Sequence, residues 1–341
     1  MRTMNAVIFQ DIGKWGFEKR PVPEVKRPND VLVEMEACSI CGTDVHVLSD
    51  PPGFAGTKGI VLGHECVGTV LETGEAVSGL KAGDRVVLIP NINCEHCEYC
   101  RIGWPNLCEN EEIMGVTIDG IFAKYFVAPE KALTKITADM PKDLAVFCEP
   151  VNCVMGAMDT VRVLPGETAL VLGGGPIGLY YAMLLKANGA GKVIVSEPSA
   201  LRADIARECG ADLVVDPTSE DLRSVVLRET NGLGADICAD AVGTLLPDAI
   251  ACTRRAGRIV IIGLNEHAQQ TICQTDIMKN GLFVYGNYNG HFSMNPTVKM
   301  LNSGLIPVEK LITHRLPLSK FGEGLEAMRS GEALEVILYP D

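Results

Sequence analysis

Short apolar runs dominate the chain up to about residue 150. In these runs valine, leucine and methionine are interspersed with polar residues, and glycine, proline or aspartate stands between one run and the next. Short aliphatic runs bounded by turn-forming residues are typical of half-buried strands. The pattern predicts strands at 31–35, 66–71 and 85–89 and no long helix, so residues 1–150 are expected to form an irregular β domain.

The pattern changes near Glu149-Pro150, where apolar strand-like runs begin to alternate with helical stretches. That alternation is the signature of a parallel sheet with crossover helices. We expect helices at 176–188 and 200–209 and strands at 168–172, 192–196, 213–215, 235–239, 258–262 and 282–285. Residues 151–286 are therefore predicted to form a doubly wound α/β domain.

The end of the chain returns to a mixed pattern. It predicts helices at 296–302 and 322–330 and a last strand at 335–338. We assign residues 287–341 to the first domain, which makes the α/β domain an insertion. The length of 341 residues agrees with two domains, because single hydrophobic cores stop growing at about 250–300 residues.

Charge and composition exclude several classes of function. The formal net charge is -13 and no basic stripe is present, so nucleic acid is not expected as a partner. The N-terminal residues lack the pattern of a signal peptide, and no uncharged apolar run is long enough to span a bilayer. We expect a cytoplasmic protein without a membrane partner.

Four cysteines lie at metal-binding spacing, in the pattern Cys94-x2-Cys97-x2-Cys100-x7-Cys108. Four thiolates complete the tetrahedral shell of zinc and leave no position for a substrate, so this site is predicted to be structural. An iron–sulfur cluster and a chance grouping are the alternatives. His96 lies inside the loop and could compete as a ligand.

A second, mixed set of ligands is predicted from Cys41, His64, Glu65 and Glu149. One thiolate, one imidazole and a carboxylate can hold zinc with one coordination position open, as in catalytic zinc sites. Zinc then acts as a Lewis acid, which lowers the pKa of a bound hydroxyl. Taken alone, a cysteine or a His-Glu pair is more often structural, so this prediction depends on the other motifs.

Two residues next to Cys41 are candidates for moving a proton. Thr43 offers a hydroxyl beside the predicted metal site, and the imidazole of His46 can pass a proton to solvent. The alternatives are a turn-capping hydroxyl for Thr43 and a packing role for His46.

A glycine-rich loop, Gly173-Gly174-Gly175-Pro176-Ile177-Gly178, follows a predicted strand and opens a predicted helix. In that context Gly173, Gly175 and Gly178 allow a dinucleotide pyrophosphate to approach the helix N-terminus. Glu197 ends the next strand, where a carboxylate accepts the ribose hydroxyls and repels a 2′-phosphate. NAD is therefore favoured over NADP. Arg202 is a candidate for adenine stacking, with a solvated helix-face cation as the alternative.

These motifs resemble the zinc-dependent medium-chain alcohol dehydrogenase superfamily over nearly the whole chain. The segment from Gly63 to Val77 matches its zinc signature, and Gly83-Asp84-Arg85-Val86 matches its next landmark. Glu149 stands at the third ligand position, as in the polyol and L-threonine dehydrogenase branch. The resemblance implies a GroES-like zinc domain, a Rossmann cofactor domain, a homotetramer and exchange between Glu65 and Glu149 as ligands. It also implies the proton relay of Thr43 and His46 and cofactor contacts at Ile177, Glu197, Arg202, Leu264 and Asn287.

The sequence thus predicts an NAD-dependent oxidoreductase with two zinc ions, acting on a secondary alcohol that is a polyol or a sugar-derived alcohol. L-Threonine, oxidised at its 3-hydroxyl, is the alternative substrate, and a non-catalytic nucleotide-binding zinc protein is the alternative of another class. The stretch 286–292 departs from both the threonine and the sorbitol dehydrogenase patterns. Candidates for the substrate pocket, or ordinary loop residues, are Tyr125, Tyr288, Asn289 and His291.

Overall fold

The computed structural model of the protein describes residues 2–264 and 268–341. The chain divides into two units, each with its own contacts. The first unit comprises Met1–Pro150, Met294–Asn302 and Ile312–Asp341, and the second comprises Val151–Ser293 and Ser303–Leu311.

Antiparallel strands form the framework of the first unit. In β3 the side chains of Val31, Val33 and Met35 alternate into the core, while those of Leu32 and Glu34 between them are only partly buried. Three short helices connect the strands: α1 (Gly42–Val47), α2 (Glu98–Arg101) and α3 (Lys142–Ala145). The strands are β1 (Thr3–Asp11), β2 (Lys14–Pro21), β3 (Asp30–Ser39), β4 (Glu65–Thr73), β5 (Arg85–Leu88), β6 (Asn91–Ile92), β7 (Glu112–Ile113), β8 (Tyr125–Pro129) and β9 (Leu133–Lys135).

Helix α4 (Cys148–Val161) begins in the first unit and continues into the second. The second unit contains a six-stranded sheet in the order β12-β11-β10-β13-β14-β15, with every strand pair parallel. The strands are β10 (Thr168–Leu172), β11 (Lys192–Ser196), β12 (Leu213–Val215), β13 (Ala235–Asp240), β14 (Thr253–Ile261) and β15 (Phe283–Gly286). The helices are α5 (Pro176–Ala187), α6 (Ala200–Glu208), α7 (Leu222–Glu229), α8 (Leu246–Cys252) and α9 (Gln274–Asn280).

The end of the chain adds α10 (Met294–Asn302), β16 (Ile312–Pro317), α11 (Phe321–Ser330) and β17 (Glu335–Tyr339) to the first unit. Its largest sheet has the order β16-β17-β3-β4-β5-β9, and β8 also pairs with β3. Short 3₁₀ turns lie at Pro105–Leu107, Glu130–Ala132, Val308–Leu311 and Leu318–Lys320. One apolar core beneath this sheet joins the first strands to α11, since Phe122 contacts Phe321 with ring centroids 5.2 Å apart.

The predicted fold class, an irregular β domain followed by a parallel α/β domain, is confirmed. The strand order of the second unit is that of the doubly wound dinucleotide-binding fold. Among the elements that were not predicted are the β1–β2 hairpin, helix α4, and helices α7, α8 and α9 of the second unit. The structure also groups residues 287–293 and 303–311 with the second unit, whereas the sequence assigned them to the first. Side chains of Asn287 and Ser293 hydrogen-bond to α4, which accounts for part of this difference.

No helix in the described ranges combines the length and the apolar character that crossing a bilayer requires.

Candidate metal and cofactor sites

Three glycines determine the backbone that carries His64. Gly63 has φ +88°, in the left-handed region, and a Cβ there would overlap the ring of Phe122. A Cβ at Gly115 or at Gly120 would overlap the Gly63 carbonyl. The backbone around Gly63 is therefore packed so closely that no side chain fits at these three positions. This packing fixes the backbone next to His64 and so orients the His64 side chain.

The pairing of β3 with β4 assembles the first metal site. Cys41 follows β3 and precedes α1, His64 precedes β4, and Glu65 is the first residue of β4. Their ligand atoms all lie within 4.8 Å of one another. The structure therefore brings together three of the four predicted ligands, one each of sulfur, nitrogen and oxygen.

Asp44 supports this group from α1. Its Oδ2 accepts a hydrogen bond from the Cys41 backbone N–H (3.0 Å), and its Oδ1 lies 3.8 Å from Nδ1 of His64. Burial raises the pKa of Asp44 to about 6, opposed by the nearby His64. Burial also works against protonation of His64, but the charges of Asp44, Glu149 and Glu65 outweigh it and raise the His64 pKa.

The donor set fits a divalent cation. Glu65 is only 2% exposed, and in the described part of the chain no lysine or arginine forms an ion pair with it. A buried carboxylate without a cation is costly, and the negative charges of Glu65 and Asp44 add to burial in raising the Cys41 pKa well above its usual range. A zinc ion bound by Cys41, His64 and Glu65 would balance this charge with the ligand types that zinc prefers.

Glu149 lies close to the group without belonging to it. It is buried in the first turn of α4, and its charge contributes to raising the pKa values of Cys41 and His64. It is not among the residues whose ligand atoms lie within 4.8 Å of one another. Its position fits an alternate ligand better than a permanent one.

The two proton-transfer candidates lie on α1, three residues apart and thus on one helix face. Thr43 is half-buried, and its backbone N–H donates to the Cys41 thiol. His46 is exposed, and its ring lies beside Gly53, where an added Cβ would come within 2.9 Å of Nδ1. Thr43 is therefore next to the metal group and His46 has access to solvent.

The four-cysteine loop forms the second metal site. The ligand atoms of Cys94, Cys97, Cys100 and Cys108 lie within 4.8 Å of one another. Backbone N–H groups donate to the sulfurs, for example from Cys97 to Cys94 Sγ at 3.3 Å and from Asn110 to Cys108 Sγ at 3.4 Å. Such bonds, chiefly the one from the His96 backbone, lower the pKa of Cys94 to about 6. The His96 ring is directed elsewhere, since its Nδ1 lies 2.6 Å from the Cys94 carbonyl oxygen.

The glycine loop lies between β10 and α5 in the second unit. Gly173 has φ +95°, and a Cβ at Gly178 would overlap the Gly173 carbonyl, so both positions require glycine. Glu197, directly after β11, accepts the Gly174 N–H at 2.7 Å and the Ser199 N–H at 2.8 Å. These bonds hold the Glu197 carboxylate against the loop where a dinucleotide would bind.

The other cofactor candidates lie around the same sheet. Ile177 is half-buried in the first turn of α5, and the Arg202 guanidinium reaches within 4.0 Å of an ideal Cβ on Gly175. Leu264 is exposed after β14, and Asn287 directly follows β15 and donates from Nδ2 to the Cys153 carbonyl (2.7 Å). The carboxyl ends of parallel strands are where ligands of this fold class bind.

The pocket candidates do not form one group within a single unit. Tyr125 is buried in the first unit, and its hydroxyl accepts a hydrogen bond from Arg2 (2.6 Å). Tyr288, Asn289 and His291 lie in the second unit, on a segment where Asn289 has φ +57°. The sequence prediction missed two residues at the metal site, Asp44 and Ser39. The only sequence signal for Asp44 is its position three residues after Cys41, as in a capping box.

Comparison with known proteins agrees with this geometry. The alcohol dehydrogenase GroES-like domain family matches residues 27–138, and the zinc-binding dehydrogenase family matches residues 176–303. The chain is 33% identical to an L-threonine 3-dehydrogenase of Caldanaerobacter subterraneus subsp. tengcongensis, covering 94% of each chain. It is 31% identical to D-arabinitol dehydrogenase 1 of Uromyces fabae, covering 99% of this chain and 97% of that protein.

Solved structures show the same fold. Alcohol dehydrogenase TADH from Thermus sp. ATN1 superposes with a TM-score of 0.93 at 28% identity, covering 99% of this chain and 100% of that one. An alcohol dehydrogenase from E. coli CFT073, complexed with NADH, superposes with a TM-score of 0.92 at 27% identity and the same coverage.

A mixed zinc site in one unit and a dinucleotide loop in the other define an oxidoreductase that uses zinc and NAD. The chain belongs to the zinc-dependent medium-chain alcohol dehydrogenase superfamily, with its GroES-like and Rossmann domains.

Proposed function

We propose that the protein oxidises a secondary alcohol, a polyol or a sugar-derived alcohol, with NAD as the hydride acceptor. The observation that carries this proposal is the convergence of Cys41, His64 and Glu65, of which His64 and Glu65 are buried and Cys41 is half-buried. Three protein ligands leave the fourth tetrahedral position of zinc available to the substrate hydroxyl.

Different residues of the chain are proposed to bind the metal and the cofactor. Zinc bound at this site supplies Lewis acidity that makes the alcohol proton easier to remove, and NAD supplies the hydride acceptor. Cys41, His64 and Glu65, with Glu149 as the alternate carboxylate, hold the metal. Gly173, Gly175 and Gly178 let the pyrophosphate approach the N-terminus of α5, with Ile177, Arg202, Leu264 and Asn287 as the other cofactor contacts.

The proton leaves through α1. The Thr43 hydroxyl accepts it from the substrate and passes it toward His46, whose exposed ring releases it to solvent. The positions of the two residues support this route, because one lies beside Cys41 and the other at the surface.

Glu197 favours NAD over NADP. Its carboxylate is fixed beside the glycine loop by two backbone N–H groups, where it would bind ribose hydroxyls and repel a 2′-phosphate. Ratios of kcat/KM for NAD and NADP should favour NAD in the unmodified enzyme and shift toward NADP in Glu197→Ala. Equal use of both cofactors by the unmodified enzyme would contradict this assignment.

L-Threonine is the second candidate substrate, because the Caldanaerobacter relative is an L-threonine 3-dehydrogenase. D-Arabinitol dehydrogenase of Uromyces covers slightly more of the chain and supports the polyol. A steady-state screen of zinc-loaded enzyme with NAD should include D-arabinitol, sorbitol, 2,3-butanediol, L-idonate and L-threonine. Highest kcat/KM on a polyol supports the first proposal, and highest kcat/KM on L-threonine supports the second. No NADH from any of these alcohols would favour a non-catalytic zinc protein.

We also propose a homotetramer in the cytoplasm. The edge strand β15 leaves Phe283 52% and Val284 37% exposed, and unpaired apolar strand edges favour pairing with a second copy. Thirteen cysteines, none of them in a disulfide in the described part of the chain, and two metal sites with thiolate ligands fit a reducing compartment. Light scattering after size exclusion should give four times the chain mass of 36.6 kDa, and a monomeric mass would contradict the proposal.

A further inference from the structure

Ser39 lies directly opposite Glu65 in the register between β3 and β4. Its hydroxyl donates a hydrogen bond to Oε2 of Glu65. Both residues are almost completely buried, with exposures of 1% for Ser39 and 2% for Glu65. The hydroxyl therefore acts on a carboxylate that belongs to the first metal site.

A second hydroxyl–carboxylate pair in the same sheet shows what is unusual here. Thr69, also on β4, donates from Oγ1 to Glu36 (2.6 Å). Glu36 also forms an ion pair with Arg85, in which Nη2 of Arg85 lies 2.6 Å from Oε2 of Glu36. The charge of Glu36 is thus balanced within the protein, and its Thr69 bond is an ordinary structural contact.

Glu65 has no such cation. Among the described residues Ser39 is its one hydrogen-bond donor, and no lysine or arginine lies within ion-pair distance. The Ser39 bond occupies Oε2 and, being made by a neutral hydroxyl, does not neutralise the negative charge of the carboxylate. It thus restricts the rotation of the Glu65 side chain without reducing its ability to bind a cation.

We propose that Ser39 is a positioning residue, which fixes the Glu65 carboxylate toward Cys41 and His64 and so favours Glu65 over Glu149 as the resting metal ligand. Hydrogen-bonding partners of metal ligands orient those ligands, and their loss typically lowers metal affinity by about 10–100-fold. Ser39 need not touch substrate or cofactor to act in this way. The inference rests on the proposed zinc chemistry of the Cys41 site.

The test measures zinc affinity at each site, by competition between the full-length protein and a chromogenic chelator. In this competition, the phase of zinc transfer to the chelator that is lost in a Cys41→Ser variant is the one that belongs to the first site. Ser39→Ala should weaken zinc binding at that site by about 10–100-fold and leave the four-cysteine site unchanged. Ser39→Thr keeps the hydroxyl and should restore most of the affinity.

Two controls separate positioning from general stability. Thr69→Ala removes the matched bond to Glu36 and should leave zinc affinity at both sites unchanged, although it lowers the unfolding midpoint. A double-mutant cycle adds Glu65→Ala: if Ser39 acts through Glu65, Ser39→Ala has no further effect on affinity in that background.

Equal zinc affinities in Ser39→Ala and the unmodified protein would overturn the inference, as would an undiminished Ser39→Ala effect in the Glu65→Ala background. These outcomes leave the proposed function intact, provided that the unmodified protein binds zinc at both sites. Absence of zinc from the Cys41 site of the unmodified protein would instead refute the proposed function itself.

Discussion

The two candidate metal sites are built in opposite ways. The cysteines of the second site come from one short loop, Cys94 to Cys108, and backbone N–H groups of the same loop donate to their sulfurs. The ligands of the first site come from the end of β3 and the start of β4, and carboxylates surround them. One site stabilises negative sulfur by local backbone geometry, whereas the other accumulates buried negative charge through the sheet.

This difference suggests a structural role for the four-cysteine site and a reactive role for the Cys41 site. Four sulfurs would close the coordination shell of zinc, so we propose a purely structural role for the loop site. At the mixed site three ligands would leave a position open, and a divalent cation would balance the excess of negative charge. Four changes should test the contrast, from the most to the least severe.

Removal of Cys41 should have the largest effect. Cys41→Ser replaces the one sulfur ligand of the mixed site, and several kcal/mol of Lewis-acid stabilisation are lost with the metal. We expect kcat to fall about a thousandfold or more, while the four-cysteine site keeps its zinc. Steady-state rates and elemental analysis measure both quantities. Full activity with undiminished zinc would show that the metal of this site has no role in the reaction.

Loss of the Thr43 hydroxyl should be the next most severe change. Thr43→Val keeps the shape but removes the proposed first proton acceptor, and kcat should fall about a hundredfold with zinc content unchanged. Thr43→Ser retains the hydroxyl and serves as the matched control. Equal rates in the two variants would exclude a proton-transfer role for this side chain.

Disruption of the four-cysteine site should affect structure more than rate. Cys97→Ser is expected to release zinc from the loop and to expose residues 94–108 to limited proteolysis. We expect kcat to stay within about tenfold, or about 1.4 kcal/mol, because the loop supplies no catalytic group. A loss of rate as large as that of Cys41→Ser would remove the distinction between the sites.

The smallest expected effect concerns the pH dependence of stability. It comes from Glu111, which lies just after the four-cysteine loop. Burial raises the pKa of Glu111 to about 7 from its usual 4.5. Between these values the folded state keeps a proton that the unfolded state has released, so stability decreases as pH rises toward about 7. Glu111→Gln should abolish that decrease in urea unfolding, whereas Glu112→Gln at the exposed neighbouring position should not. The same decrease in all three proteins would assign it to another group.

The sequence was most informative where structure is local. The spacing of Cys94, Cys97, Cys100 and Cys108 predicted their grouping because so short a loop can hardly separate them. The strands of the second unit, together with its helices α5 and α6, were likewise predicted from the pattern of apolar residues. These signals need no knowledge of tertiary structure.

The pairing register between strands could not be predicted from the sequence. Ser39 contacts Glu65 only because β3 and β4 pair with these residues opposite one another, and nothing in the sequence indicates that register. Helix α4 was missed because Pro150 suggested a boundary, although proline is tolerated in the first turn of a helix. The structure groups residues 287–293 with the second unit, and the bonds of Asn287 and Ser293 to α4 that favour this grouping depend on tertiary packing.

The interlocked glycines at 63, 115 and 120 have a consequence for how such an enzyme can diversify. Their packing leaves no volume for any larger residue, so the anchor of His64 resists sequence drift. In the segment 286–292 the restriction differs from one position to the next: the side chains of Tyr288 and Phe292 are 41% and 72% exposed, whereas a Cβ at Gly290 would overlap Asn152. Substitutions at such exposed positions should therefore be tolerated more readily than any substitution at Gly63, Gly115 or Gly120.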